Sequence, residues 1–414
     1  MSNTLKCHQM PLCLVLLSAF LCWLNPAVFN KQHRVQDQSV ILQEDSLRIS
    51  PALNRYFRHV NLANRAVYNN QFTAASAQYD SAFLQKPIPF FTELKNAILV
   101  NGKMGKFREN DDLLRKLMLE KQIDTMQLFS MIPQYMLDTK NRSLVRDWQK
   151  KVLGLQQKPN PWTNELRLMF DHNQEMLYAF DTLMLIDDPA ERRAFSTLLN
   201  NRKDSADQAQ IVRFVQLYKQ HGFPTEEKTG VFFAPESEWS GVLLLLFQNF
   251  VHFKNIKQRT SLFRIFDEAL YDGHFHPSLY ATLMDYANEQ RDRKLEGPDK
   301  ANNFMNVTIH TVNGKVCRPF VHYSNELMQD VNTNRVAIGL DSFHVSHRQA
   351  VCGQYYPQKM LGKKMIPMCA YPQIHQLPAG FVQYALDKEG LSMAMFEINI
   401  GKILQECQCE PKLY

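Results

Sequence analysis

Apolar residues recur three and four places apart along most of this chain, and that spacing predicts helices rather than strands. From Gln71-Phe72 the positions Ala75, Tyr79 and Ala82 fall on one helical face, and Pro87 ends the run. Leu62, Ala63 and Ala66 mark the face of a preceding helix. The same periodicity predicts helices in "NAILVNGKMGKFRENDDLLRKLM", "MQLFSMIPQYML" and "SLVRDWQKKVLGL". Further on, Thr163 is placed to cap "NELRLMFDHNQEMLYAFDTLMLID". Asp204 or Ser205 is placed to cap "ADQAQIVRFVQLYKQHGFP", whose Ile211, Phe214, Val215 and Tyr218 form a stripe. His221-Gly222 is the expected end of that helix, with Pro224 just beyond. "EWSGVLLLLFQNFVHF", opened by Ser237, is apolar on all sides and reads as a buried helix. "QRTSLFRIFDEALYDG" and "PSLYATLMDYANEQRDRK" follow as two more. The fold class expected is mainly α.

The stretch "NLANRAVYNNQFTAASAQYDSAFLQKP" resembles a tetratricopeptide repeat, with its alanines, aromatic residues and closing proline at that repeat's offsets. About 35 residues later a weaker echo places Phe107 where Phe72 stood, with Leu114 and Leu117 near the positions of Tyr79 and Ala82. A third helix pair or a cap after residue 126 brings the stack to the three units it needs to bury its faces. Residues 45–157 are thus expected to form TPR-like helical hairpin repeats. Such a stack offers either a concave surface for another protein or peptide, or a spacer that binds nothing, and helix spacing does not choose between them.

"KPNPW" at 158–162 is a linker signal. Beyond it, residues 163–346 are expected to form an orthogonal helical domain. The order of features here resembles a mostly bacterial helical family of unknown function. "HGFP" at 221–224 stands where that family has a closing "GWP", and His252 lies seventeen residues before Ala269. Gly273 closes a helix, "YATLMDY" at 280–286 keeps Asp285, and "VNTNRVAIGLDSF" at 331–343 keeps Arg335, Gly339 and Leu340. Two features depart from the pattern: Tyr286 replaces an arginine, and "FMNVT" at 304–308 replaces "YGTQ". If the family site grips something polar, this chain has lost part of that grip.

Candidate chemistry is sparse. His274 and His276 flank Phe275 in "DGHFHPSLY", a two-residue spacing that holds a metal only when further ligands converge on it. Asp267, Glu268 and Asp272 are near in sequence, but the expectation is a solvated turn with Pro277 opening the next helix. His252, at the end of an apolar helix, can act as a general base or simply meet the helix dipole. Arg335 can hold a carboxylate or phosphate, or tie the late segment to the body through Asp285. No G-x-S-x-G, H-E-x-x-H, Walker loop or Rossmann fingerprint is present, and no cofactor is expected. Two functional readings follow: a non-enzymatic scaffold that binds a protein or peptide, and a hydrolase or ligand-binding enzyme using His252, Asp285 and Arg335.

Charge and composition narrow the partners. The 47 basic and 41 acidic residues are interspersed, for a net charge of +6, so no basic stripe suits a nucleic-acid groove. Lys6 and His8 precede an apolar run from residue 10 to 24 that Asn25-Pro26 breaks, which reads as a signal peptide or an N-terminal anchor in residues 1–30. Export, to the periplasm or bacterial envelope, is the expectation, with membrane contact only if that segment is retained. Beyond it the cysteines are Cys317, Cys352, Cys369, Cys407 and Cys409, an odd number with no C-x2-C pair, which favours disulfides or inert thiols over zinc. Residues 347–414 form a Pro/Met/aromatic-rich extension whose prolines forbid long helices before Leu377.

Overall fold

Ser50 opens the first helix. Its backbone is extended, its Oγ accepts from the Leu53 N–H at 3.4 Å, and Pro51 takes a first-turn position, where its missing N–H leaves no bond unmade. The computed structural model describes residues 47–106, 109–126, 128, 142–156, 160–230, 256–293, 304, 309–312, 315–317, 325–343, 345–346 and 374–376. These are mainly helical. Helices α1 (Pro51–Tyr68), α2 (Phe72–Gln85), α3 (Phe91–Lys103), α4 (Asn110–Leu119) and α5 (Arg142–Gln156) come first. Next are α6 (Pro161–Thr182), α7 (Pro189–His221), the single turn α8 (Glu226–Thr229), α9 (Ile256–Tyr271), α10 (Pro277–Arg293) and α11 (Asn325–Ala337). The only sheet among the described residues is short. Strand β1 (Ile309–Val312) pairs antiparallel with β2 (Lys315–Cys317) and parallel with β3 (Ile374–Gln376).

Two expected helix starts are corrected. Asn160, not Thr163, caps α6: its Oδ1 accepts from Trp162 N at 3.0 Å and from Thr163 N at 3.4 Å, so the "NP" of the expected linker is a helix start. Likewise Asp204 and Ser205 lie inside α7, which begins at Pro189 behind Asp188, whose Oδ1 accepts from Ala190 N at 2.8 Å. Ser205 Oγ bonds back to Asn201 O at 3.0 Å, the way a serine inside a helix is accommodated. The expected end of α7 stands, with Gly222 at φ 69° after His221. The buried helix expected at 237–253 and most of the 126–137 run lie outside the described residues, as do Phe107, His252 and all the late cysteines except Cys317.

Two apolar cores share one helix. In α1 the stripe Leu53, Tyr56, Phe57 and Val60 enters a core with Trp162, Phe214, Phe266, Phe275 and Tyr280. One turn on, Ala63, Ala66 and Val67 enter another core, with Ala75, Tyr79, Leu94, Leu117 and Val152. Leu62, expected on the packed face beside Ala63, is exposed instead. Ala75, Tyr79 and Ala82 are buried along α2, where small side chains let α1 approach closely. The first core therefore joins α1 to the helices beyond residue 160, and the second joins the α1–α5 hairpins to one another. Consecutive residues mark the boundary: Phe90 packs in the first core and Phe91 in the second.

Late in the chain, Gly339 sits at φ 84°, and a Cβ there would come within 2.9 Å of Phe57 Cβ. Only glycine fits this turn after α11, whose residues press on α1. Asn61 Nδ2 donates to Gly339 O at 3.0 Å, and Arg65 pairs with Asp341 at 2.7 Å.

Candidate functional site

Where the two cores meet, charged side chains are buried together. Lys121 follows the end of α4 and has no exposed side-chain surface. Its Nζ lies 2.9 Å from Glu226 Oε2 and bonds Glu227 Oε1 as well. Glu226 Oε2 also accepts from Phe91 N at 2.8 Å, so this carboxyl ties the start of α3 to the turn after α7. Gln122 Nε2 reaches Glu227 O at 2.9 Å on the same turn. The other oxygen, Glu226 Oε1, is buried with no hydrogen-bond partner.

The electrostatics follow from one ammonium serving two carboxylates. Burial alone would lower Lys121, but Glu226 and Glu227 more than reverse this and hold it above the usual lysine range. Glu226 is pushed upward by burial despite the pull of Lys121. Burial also raises Glu227, yet Lys121 wins there and leaves it below the usual carboxylate range. The 31 % exposure of Glu227 against 3 % for Glu226 accounts for the difference, since water solvates the one charge and not the other. Lys86, between α2 and α3, stacks its ammonium 4.6 Å from the Phe90 ring and donates to Gly273 O at 3.1 Å. Burial, and then Lys121, push it below the usual lysine range.

Beside this trio runs a second chain of contacts. His276 is buried, its ring edge-on to Phe57 and Phe90, and its Nε2 lies 3.2 Å from Glu93 Oε1. Its Nδ1 accepts from Ser278 N at 3.2 Å and lies 2.7 Å from Ser278 Oγ. Because Nδ1 accepts a backbone N–H, a neutral ring carries its proton on Nε2 and donates it to Glu93. Tyr56 Oη accepts from Phe90 N at 3.3 Å and donates to Glu93 Oε2 at 3.4 Å. Burial first, and Glu93 next, put the Tyr56 hydroxyl well above the usual tyrosine range.

Serine, histidine and carboxylate in this order are the parts of a nucleophilic relay. Their setting differs from one: Ser278 is 4 % exposed, and it stands in the first turn of α10, where His276 Nδ1 caps its N–H. A substrate carbonyl needs room about 3 Å from the hydroxyl, and burial of all three groups leaves the arrangement as a cap and a cross-brace.

The residues singled out from the sequence fall in three places. His274 and His276 do lie in the turn between α9 and α10, but His276 is buried rather than solvated, which the turn-like sequence did not suggest. His274 is exposed, as expected of a turn, with its N–H bonded to Ala269 O at 2.8 Å, and partial desolvation lowers its ring. Asp285 and Arg335 come together on the backbone of one residue: Asp285 Oδ1 accepts from Phe304 N at 2.8 Å, and Arg335 Nη1 donates to Phe304 O at 3.1 Å. Arg335 is buried and also donates to Asp341 O at 2.8 Å and Ser346 Oγ at 2.7 Å. Burial lowers its guanidinium to about 10, partly offset by Asp285 and Asp341, so it stays charged at neutral pH. The third candidate, His252, lies outside the described residues.

Glu93, Lys121, Glu226 and Glu227 escaped the sequence reading. "PTEEK" at 224–228 reads as an ordinary acidic helix start, and its partner is 105 residues away. Among the described residues no group of three His, Cys, Asp or Glu side chains is placed to hold a metal, and no helix is long and apolar enough to cross a membrane. No family model, no curated protein and no solved structure matches the chain.

Proposed function

We propose that this chain is an exported, non-enzymatic scaffold of the bacterial envelope, with tetratricopeptide-like helix pairs, that binds another protein or a peptide. The observation that carries the binding role is the outer half of the α6–α7 hairpin. Near its base Trp162, Leu166 and Met169 on α6, and Ile211, Phe214 and Leu217 on α7, enter the first core. Farther out Tyr178, Leu185 and Leu198 are exposed at 69 %, 80 % and 61 %. A single exposed leucine is ordinary, but three large apolar side chains on the outer half of one hairpin suit an interface core. Export is supported by the apolar leader alone.

The enzyme reading is weaker for a specific reason. Asp285 and Arg335, two of its three residues, direct bonds to the Phe304 backbone, so they act as fasteners for the late segment. The test is affinity capture of the mature protein from its own envelope fraction, run beside a Tyr178→Glu, Leu185→Glu double variant with an unchanged circular dichroism spectrum. Proteins retained by the wild type and lost by the variant are the expected result. Equal recovery by both, or nothing above background, would overturn the proposal.

A further inference from the structure

The cluster between the two cores contains more negative than positive groups. Among the described residues, Glu93, Glu226 and Glu227 face the ammonium groups of Lys86 and Lys121. They come from several pieces of the fold. Lys121 follows α4, Glu93 lies on α3 with the Phe91 N–H, Lys86 precedes α3, and Tyr56 comes from α1. His274 and His276 come from the turn before α10. Glu226 and Glu227 themselves belong to α8, so the cluster joins the hairpins α1–α4 to the later helices. Within it, Glu226 alone has a carboxyl oxygen buried without a partner.

We propose that this cluster is a proton-sensitive joint, in which uptake of one proton by Glu226 tightens the contact between the hairpins and α8, and its loss loosens it. The ionised form puts two adjacent carboxylates on one ammonium and leaves a charged oxygen unsolvated, which is costly in a buried setting. Protonation at Oε1 removes that charge while Oε2 keeps its bonds to Phe91 N and Lys121. Lys121 then balances a single carboxylate charge, that of Glu227.

The titrations of the cluster pull in two directions. Glu226 lies above its ordinary value of 4.5 in the folded chain, so the stability it contributes is complete below 4.5 and disappears as pH rises through its folded value. Glu227 lies below 4.5, so its contribution is present above that pH and is lost only under stronger acid. Lys86 and Lys121 shift around 10.5 and Tyr56 above 10.0, outside the window between. His274 lies below its ordinary value of 6.5, so its contribution is present above that pH and is lost on acidification, against Glu226. Proton uptake by Glu226 therefore strengthens the joint on acidification, and a Glu226 variant separates that effect from the opposing one of His274.

The experiment follows the full-length chain from about pH 8 to about pH 5.5, by thermal melting and by amide exchange corrected for the intrinsic pH dependence. Protection at the Phe91 amide is expected to rise at the acid end. The melting midpoint is expected to rise by a few degrees over the same range. Glu226→Gln, which mimics the protonated carboxyl, is expected to gain less from acidification than the wild type and to exceed the wild type at pH 8. A wild-type midpoint that stays level or falls on acidification, or a variant that keeps the wild-type slope, would overturn the inference. Should the variant not fold, the infrared spectrum of the wild type decides: a protonated carboxyl band that disappears between these two pH values supports the joint, and its absence rejects it.

Discussion

The core of the α1–α5 hairpins and the charged seam beside it are equally dry but held by different physics. In the hairpin core, Ala63, Ala75, Leu94, Leu117 and Val152 are packed by contact alone, and removing one side chain leaves a void with no charge in it. At the seam, Lys121, Glu226 and Glu93 are as deeply buried, yet each depends on a partner from another element. Apolar packing tolerates change in proportion to volume, whereas a buried ion fails when its one counter-charge is lost. The seam can thus be the more specific contact without being the more stabilising one.

Variants can separate these two modes. The largest effect is expected from Lys121→Met, which strands both glutamates: a loss of about 3 to 5 kcal/mol in denaturant unfolding at pH 8, and less in mild acid. Combining it with Glu226→Gln and Glu227→Gln removes the stranded charges and is expected to recover most of that loss. If the triple variant is as unstable as the single one, the seam is held by shape and not by charge. In the hairpin core, Leu117→Ala is expected to cost about 2 to 4 kcal/mol by the same measurement, with no change between pH 8 and mild acid. A clear pH dependence there would erase the distinction. Gly339→Ala, which strains φ and drives a Cβ into Phe57, is expected to cost about 1 to 3 kcal/mol, read as a lower melting midpoint. Asn160→Ala removes the cap of α6 and is expected to cost about 1 kcal/mol. The smallest effect belongs to Glu165→Gln, on the surface pair with Arg213, where the melting midpoint is expected to stay unchanged.

Much of the helical architecture was legible because helix formation is local. The Ala75, Tyr79, Ala82 spacing placed α2, and His221-Gly222 ended α7 where expected. The misplaced starts have a local cause too: Asp188-Pro189 and Asn160-Pro161 are cap-and-proline signals that compete with the polar residues chosen from the sequence, and the proline-backed signal prevailed in both cases. The candidate site was hardly legible. "FHPS" looks like a polar turn until Glu93, 183 residues earlier, meets its imidazole. No periodicity encodes such a pairing.

By itself, the sequence determined that this polypeptide is mainly helical, where several helices stop, and that its charge is mixed, because these properties depend on neighbours within a few residues. Only the tertiary structure decided that α1 serves two cores, that Asp285 and Arg335 clasp the Phe304 backbone, and that Lys121 is sealed between two glutamates. Those outcomes depend on which side chains lose their water, and that is settled when distant segments close on one another.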